Sequence, residues 1–195
     1  MVATPAQAVS IAGSVGFDGQ LDLNETDPTA PIFQNFRNFA DIDVDGIFVG
    51  FVPTEVKDLA LTNVGRNTFQ AGAVAEWKVY TKFGDGNTVL DRIFFDLDPG
   101  ATWTRNVTDL GGVSYTNGPG YTGRYRRESD GVQFLGAGFL NLSRTANGDG
   151  VFVSQFEITQ DAAPIPTPAL LPGLVGLGMA ALRRRNQEDA EEAEA

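Results

Sequence analysis

Along most of the chain, apolar and polar positions take turns with a period of two. In Trp77-Lys78-Val79-Tyr80-Thr81-Lys82-Phe83 apolar and polar residues take turns, and Val151-Phe152-Val153-Ser154-Gln155-Phe156-Glu157-Ile158 does the same with one break. That period places successive side chains on opposite faces of a half-buried strand. Runs of this kind predict strands over residues 8–17, 31–39, 42–52, 56–62, 73–83, 88–97, 102–107, 132–142 and 151–158. Turn chemistry separates them at Gly84-Asp85-Gly86-Asn87, Asp98-Pro99-Gly100, Gly118-Pro119-Gly120 and Asn147-Gly148-Asp149-Gly150. Short strands with turns about every 8–12 residues predict an all-β domain, an antiparallel β-sandwich or jelly roll. Residues 58–63 admit a single helical turn as an alternative to a strand. Helix-period patterns are absent before Pro164, and no internal repeat is evident.

The pattern changes after residue 160. From Ala163 the chain reads A-P-I-P-T-P-A-L-L-P-G-L-V-G-L-G-M-A-A-L-R-R-R. Pro164, Pro166 and Pro168 keep this approach extended, because proline blocks helix and restricts the residue before it. Residues 169–182 form a 14-residue stretch without a charge. As a helix it spans about 21 Å at roughly 1.5 Å per residue, against a hydrocarbon core of roughly 30 Å. It has the length of a signal-type apolar region. Leu170, Leu171, Leu174, Val175, Leu177 and Met179 wrap all its sides, which disfavours an amphipathic helix packed on the domain. Pro172 fits a first helical turn. Arg183, Arg184 and Arg185 can snorkel to head groups and favour the cytoplasmic side. A short C-terminal hydrophobic helix is expected here. The extended segment before it is well suited to the grip of a protease or transpeptidase.

This order of Pro164, Pro166-Thr167-Pro168-Ala169, apolar run and Arg183-Arg184-Arg185 resembles the PEP-CTERM class of bacterial sorting signals. The form is most similar to the PTPA variant seen among cyanobacteria. The resemblance covers residues 164–185. It implies recognition by an exosortase-type membrane enzyme and a stay at the inner membrane during sorting. The attached domain then reaches the cell surface or the medium, often in bacteria that make extracellular polysaccharide. Two features depart from the pattern. Thr167 stands where the commoner motif has Glu, and an acidic tail with Glu188, Asp189, Glu191, Glu192 and Glu194 follows the arginines. Gly136-Ala137-Gly138-Phe139-Leu140, followed by Val151-Phe152-Val153-Ser154-Gln155, is similar to the last hairpin of many cyanobacterial proteins with such signals. At the other end, Ala6-x-Ala8 has the small-x-small form that precedes signal cleavage. The expected organisation is therefore a signal-peptide remnant at 1–8, a β domain at 9–160, a Pro-rich linker at 161–168, a sorting helix at 169–185 and an acidic tail at 186–195.

Composition narrows the chemistry. The 195 residues contain no Cys and no His. Disulfides, thiolate metal sites, Cys nucleophiles and the Ser-His-Asp triad are thereby excluded. The net charge of −11 argues against nucleic acid as a partner, because phosphate binding needs a basic face. Catalysis is not expected. A carboxylate-based hydrolase is the one enzyme class left open, and nothing in the sequence selects a pair for it.

Three groups of residues are candidates for binding. Asp41-x-Asp43-x-Asp45-Gly46 matches the opening of a calcium loop, in which alternating carboxylates supply oxygen ligands. The match is incomplete, because Val52 stands where an EF-hand needs a bidentate Glu. The alternation of Ile42 and Val44 with the acids also fits a half-exposed strand. No other cofactor is implied. Residues 114–129 carry Tyr115, Tyr121, Arg124 and Tyr125 among glycines, and read as a long exposed loop suited to extracellular polysaccharide. Trp77 and Trp103 sit in strand patterns and are expected in the core. These readings favour a structural protein of the cell envelope or matrix, ahead of a carbohydrate-binding module and a secreted hydrolase.

Overall fold

A computed structural model of the chain describes residues 12–158, apart from 110, 147 and 149. The signal remnant, the Pro-rich linker, the sorting helix, the Arg cluster and the acidic tail lie outside the described residues. Twelve antiparallel strands occupy the described part: β1 (Ser14–Asn24), β2 (Ile32–Val44), β3 (Phe51–Val56), β4 (Leu59–Gly65), β5 (Thr68–Ala71), β6 (Val74–Phe83), β7 (Val89–Leu97), β8 (Thr102–Val107), β9 (Val113–Thr116), β10 (Tyr121–Arg127), β11 (Gln133–Arg144) and β12 (Gly150–Ile158). Two short 3-10 turns, Gly46–Phe48 and Asp85–Asn87, are the only helical elements among the described residues. Residues 58–63 form strand, not a helical turn.

The strands join one hydrogen-bonded sheet in the order β12-β1-β2-β4-β5-β8-β9-β11-β10-β7-β6-β3, and β11 pairs again with β12. That last ladder closes eight strands into a ring, β12-β1-β2-β4-β5-β8-β9-β11. β11 is the branch point. Its residues 133–138 pair with β10 and its residues 142–144 with β9, while β12 lines its other side from residue 136 to 144. The ring thus makes one end of the domain, and β10-β7-β6-β3 extends from it to make the other. One continuous hydrophobic core serves both. The β11–β12 hairpin forms in the expected place.

The structure also shows how β2 became a single strand where the sequence reading placed two. Phe33, Phe36 and Phe39 recur every three residues, which no regular strand keeps on one face. Asn35, Asn38 and Asp41 supply the correction, with φ of 55°, 53° and 45°. Asn and Asp tolerate this left-handed region better than most residues. Each opens a bulge, and the β1–β2 register slips at three places. The bulges let all three rings pack on the core. Most of β2 beyond Phe33 has no ladder to β4, so the bulges also blunt an edge that could recruit another chain.

Rings lie flat on β10 and β11 because glycines make room for them. A Cβ on Gly136 would sit 1.9 Å from Phe156 Cζ and 2.7 Å from the Glu157 carbonyl oxygen. Gly136 pairs with Gly123, and Tyr121 with Gly138. Close approach, not turn formation, requires these glycines.

Candidate functional site

The supposed ligand loop at 114–129 is not a loop. β9 and β10 occupy most of it, joined by the turn at Gly118-Pro119-Gly120, where the Gly120 N–H donates to the Asn117 carbonyl oxygen at 3.2 Å. Tyr115, Tyr121 and Tyr125 are buried, at 0%, 2% and 0% exposure. Their spacing puts them on one face of their strands, and that face is the core. Only Arg124 points to solvent, opposite Asp96 and Leu135. Of the glycines that suggested a loop, Gly118 and Gly120 form the turn and Gly123 admits the Phe95 ring.

The three acids of the calcium pattern are also accounted for by the backbone. Asp41 belongs to the bulge series of β2, and Asp43 pairs with Gly16. Asp45 caps the 3-10 turn, its carboxylate accepting from the Gly46 N–H at 2.6 Å. Among the described residues no group of three or more acids converges on a point where a metal could sit. Trp77 and Trp103 are fully buried, as their strand context implied.

Two polar clusters lie where the sequence reading had none. Glu25 accepts from Tyr115 Oη at 2.8 Å and from Arg105 Nε at 2.7 Å, and its other oxygen accepts from Arg144 Nη2 at 2.9 Å. Burial alone would push this carboxyl up. The Arg105 and Tyr115 hydrogen bonds and the two guanidinium charges outweigh it and hold the pKa below the ordinary glutamate value. At the other end, Lys78 is 1% exposed. Its Nζ donates to Tyr121 Oη and, at 2.7 Å, to Ser154 Oγ, and it lies 4.5 Å from the Trp77 ring centre. No carboxylate among the described residues reaches it. Burial therefore drives its pKa well below the usual lysine range. The alternation in 77–83 had put Lys78 on the outer face. From Lys78 onward the β6–β7 ladder is regular, so Lys78 shares the inward face with Tyr80, and the bulge at Glu76, with φ of 52°, brings Trp77 to the same side. Neither cluster opens to solvent enough to take a substrate.

The surface offers two basins of different chemistry. One, of about 460 Å³, lies on β3, β6 and β7 and is charged. Most of its charges are already matched: Glu76 pairs with Lys57 at 3.8 Å and with Arg126 at 3.0 Å, and Arg92 pairs with Glu128 at 3.6 Å. The other, of about 660 Å³, lies on the outer faces of β9, β11, β12, β1 and β2. Strand register builds it in two rows. Ser114, Ser143, Val151 and Gln20 lie side by side across four strands, and Asn141, Val153 and Asp18 form the row beside them. Thr116 and Asn38 complete the rim. These are the polar members of alternating strands. The sequence reading did not single them out: it had Ser114 and Thr116 in a loop, and Asp18, Gln20 and Ser143 lay outside its strands.

Compared with protein-family models, with curated proteins and with solved structures, the chain matches none.

Proposed function

We propose that this chain is an exported structural protein of the bacterial cell envelope or extracellular matrix, and that residues 164–185 are its sorting signal. The observation that carries this reading is the order of Pro166-Thr167-Pro168-Ala169, an uncharged 14-residue run and Arg183-Arg184-Arg185. Such a run is too short to span a bilayer comfortably, yet apolar all round, which suits delivery to a membrane-embedded exosortase-type enzyme. The β domain is the cargo. Its closed ring is read as a jelly-roll type of sandwich, with two walls facing one core. A largely closed ring whose one long open edge, β2 beyond Phe33, is blunted by bulges fits a protein held at high local density in a matrix. The domain works by binding and scaffolding. A chain without His or Cys has poor material for turnover.

The test is the intact mass and cell fractionation of the protein expressed in its host, beside a deletion of residues 164–195. Release or surface attachment, with mass lost near Pro168 or Ala169 in the full chain alone, is the expected result. An intact tail, with both forms in the same fraction, overturns the reading.

A further inference from the structure

The basin on β9, β11, β12, β1 and β2 has the chemistry of a binding site that the fold itself leaves unused. The side chains of Asp18, Ser114, Thr116 and Ser143 make no hydrogen bond to any other described residue. Others are held in place yet keep groups to spare. Asn38 Nδ2 donates to Gln20 Oε1 at 2.6 Å, which fixes both amides and leaves Gln20 Nε2 and Asn38 Oδ1 toward solvent. Asn141 Oδ1 accepts from the Asn117 N–H at 2.8 Å, which leaves its NH2 as a donor. Beneath these groups, Val151 and Val153 are 51% and 53% exposed and form an apolar floor two residues long.

Charge selects the ligand class. In a chain of net charge −11, this surface carries one carboxylate, Asp18, and no cation. It has nothing to hold a polyanion and little to repel a neutral chain. Hydroxyls and amides facing solvent over small apolar patches match the faces of a pyranose, which shows hydroxyls at its rim and C–H groups on its plane. Geometry agrees. Four neighbouring strands present their groups across three gaps of about 4.8 Å each, a repeat close to the length of a sugar unit. The basin volume falls within the range of about 300–1,000 Å³ typical of ligand sites.

We infer that this basin binds a neutral, hydroxyl-rich polysaccharide laid across β9, β11, β12 and β1. The inference rests on the exported, matrix-associated reading for the presence of such a polymer, but the binding itself needs no sorting. The test uses the purified full chain in affinity electrophoresis against dextran, a mixed-linkage β-glucan, xylan and the polyanion alginate. Retardation is expected with at least one neutral polymer and not with alginate, and chelation by EDTA should leave it unchanged. Val153→Arg should weaken it by about tenfold or more, because a long cation then fills the floor. Ser143→Ala, too mild to disturb folding, should weaken it by about threefold through loss of one hydrogen bond. Glu55→Ala on the charged face should leave it unchanged. No retardation by any neutral polymer, retardation by alginate alone, or undiminished binding by folded Val153→Arg each overturns the proposal. Failure here with correct tail processing in the host leaves the sorting reading standing, and the reverse result separates them equally well.

Discussion

The two ends of the domain hold similar aromatic residues in opposite electrostatic settings. At the ring end, Trp103 Nε1 donates to the Leu140 carbonyl oxygen at 2.8 Å, and Tyr115 Oη reaches Glu25. At the β10-β7-β6-β3 end, Trp77 Nε1 and the Tyr80 and Tyr125 hydroxyls are buried without a well-formed hydrogen bond. Burial first, then the neighbouring tyrosines, raises the Tyr80 and Tyr125 pKa values well above the ordinary range. The first end closes its strands into a ring and locks them with an anion among cations, although Arg144 Nε there lacks a partner. The second relies on ring packing, with Tyr125 and Phe134 stacked 5.3 Å apart at 8° and Tyr125 and Phe156 centred 4.2 Å apart. The comparison teaches that ring stacking and buried apolar area can carry an end of a sheet whose buried polar groups are left poorly paired.

Packing where the second end meets β11 and β12 should be the most fragile feature. Gly136→Ala is expected to cost about 3 kcal/mol, because its Cβ collides with Phe156 and with backbone that cannot yield. Chemical denaturation would show it. A cost under about 0.5 kcal/mol would mean the ring layer is loose and the contrast between the ends is overstated.

The ion cluster at the first end comes next. Glu25→Gln should cost about 2 kcal/mol at neutral pH, since Arg105 and Arg144 then lose their charge partner. The folded-state pKa of Glu25 is depressed, so its contribution is present above the ordinary glutamate value near 4.5 and lost as pH falls through the folded value. Wild type and Glu25→Gln should therefore converge in stability in acid. Parallel acid limbs would show that the carboxylate is not the lock.

Removing one hydroxyl at each end sharpens the contrast further. Tyr115→Phe should cost about 1.5 kcal/mol by stripping a hydrogen bond from a charged acceptor, whereas Tyr125→Phe should cost about zero. Equal losses in thermal melts of the two variants would erase the proposed difference.

The smallest effect at neutral pH, and the most diagnostic across pH, belongs to Lys78. Its folded pKa is lowered, so between that value and the ordinary value near 10.5 the unfolded chain binds the extra proton. Stability of the wild type should therefore rise with pH through that window relative to Lys78→Met, which lacks the titration. At pH 7 Lys78→Met should equal or exceed wild type by up to about 1 kcal/mol. Denaturation at pH 7, 8 and 9 reads this directly, and a pH-independent difference would show that the amine is not buried neutral.

Much of this architecture was legible beforehand. β6, β7, β8, β11 and β12 fall close to their expected bounds, because each keeps a period-two pattern between strong turn residues. β9 and β10 were not legible, because Gly118, Gly120, Gly123 and three arginines look like one loop until Gly118 and Gly120 are seen to make a tight turn and Gly123 to make room for Phe95. β2 was misread for a related reason. Its three-residue repeat makes sense only if Asn35, Asn38 and Asp41 leave the extended region. Lys78 was placed on the wrong face because the face was read from Trp77, and the bulge at Glu76 lets these two neighbours both turn inward. Of the basin's seven polar positions, only Asn38 and Asn141 lay in expected strands, and nothing local showed that the seven meet.

Local alternation and turn chemistry by themselves determined that this chain is an antiparallel β protein, where half of its strands begin, and that a tail of different character follows it. These are properties of short windows, set by side-chain period and backbone sterics. Only the tertiary structure decided which strand neighbours which, that the sheet closes on itself, which lysine goes inside and which polar rows share a surface. Those outcomes depend on register between residues far apart in the chain, and a single bulge reverses the face of everything beyond it.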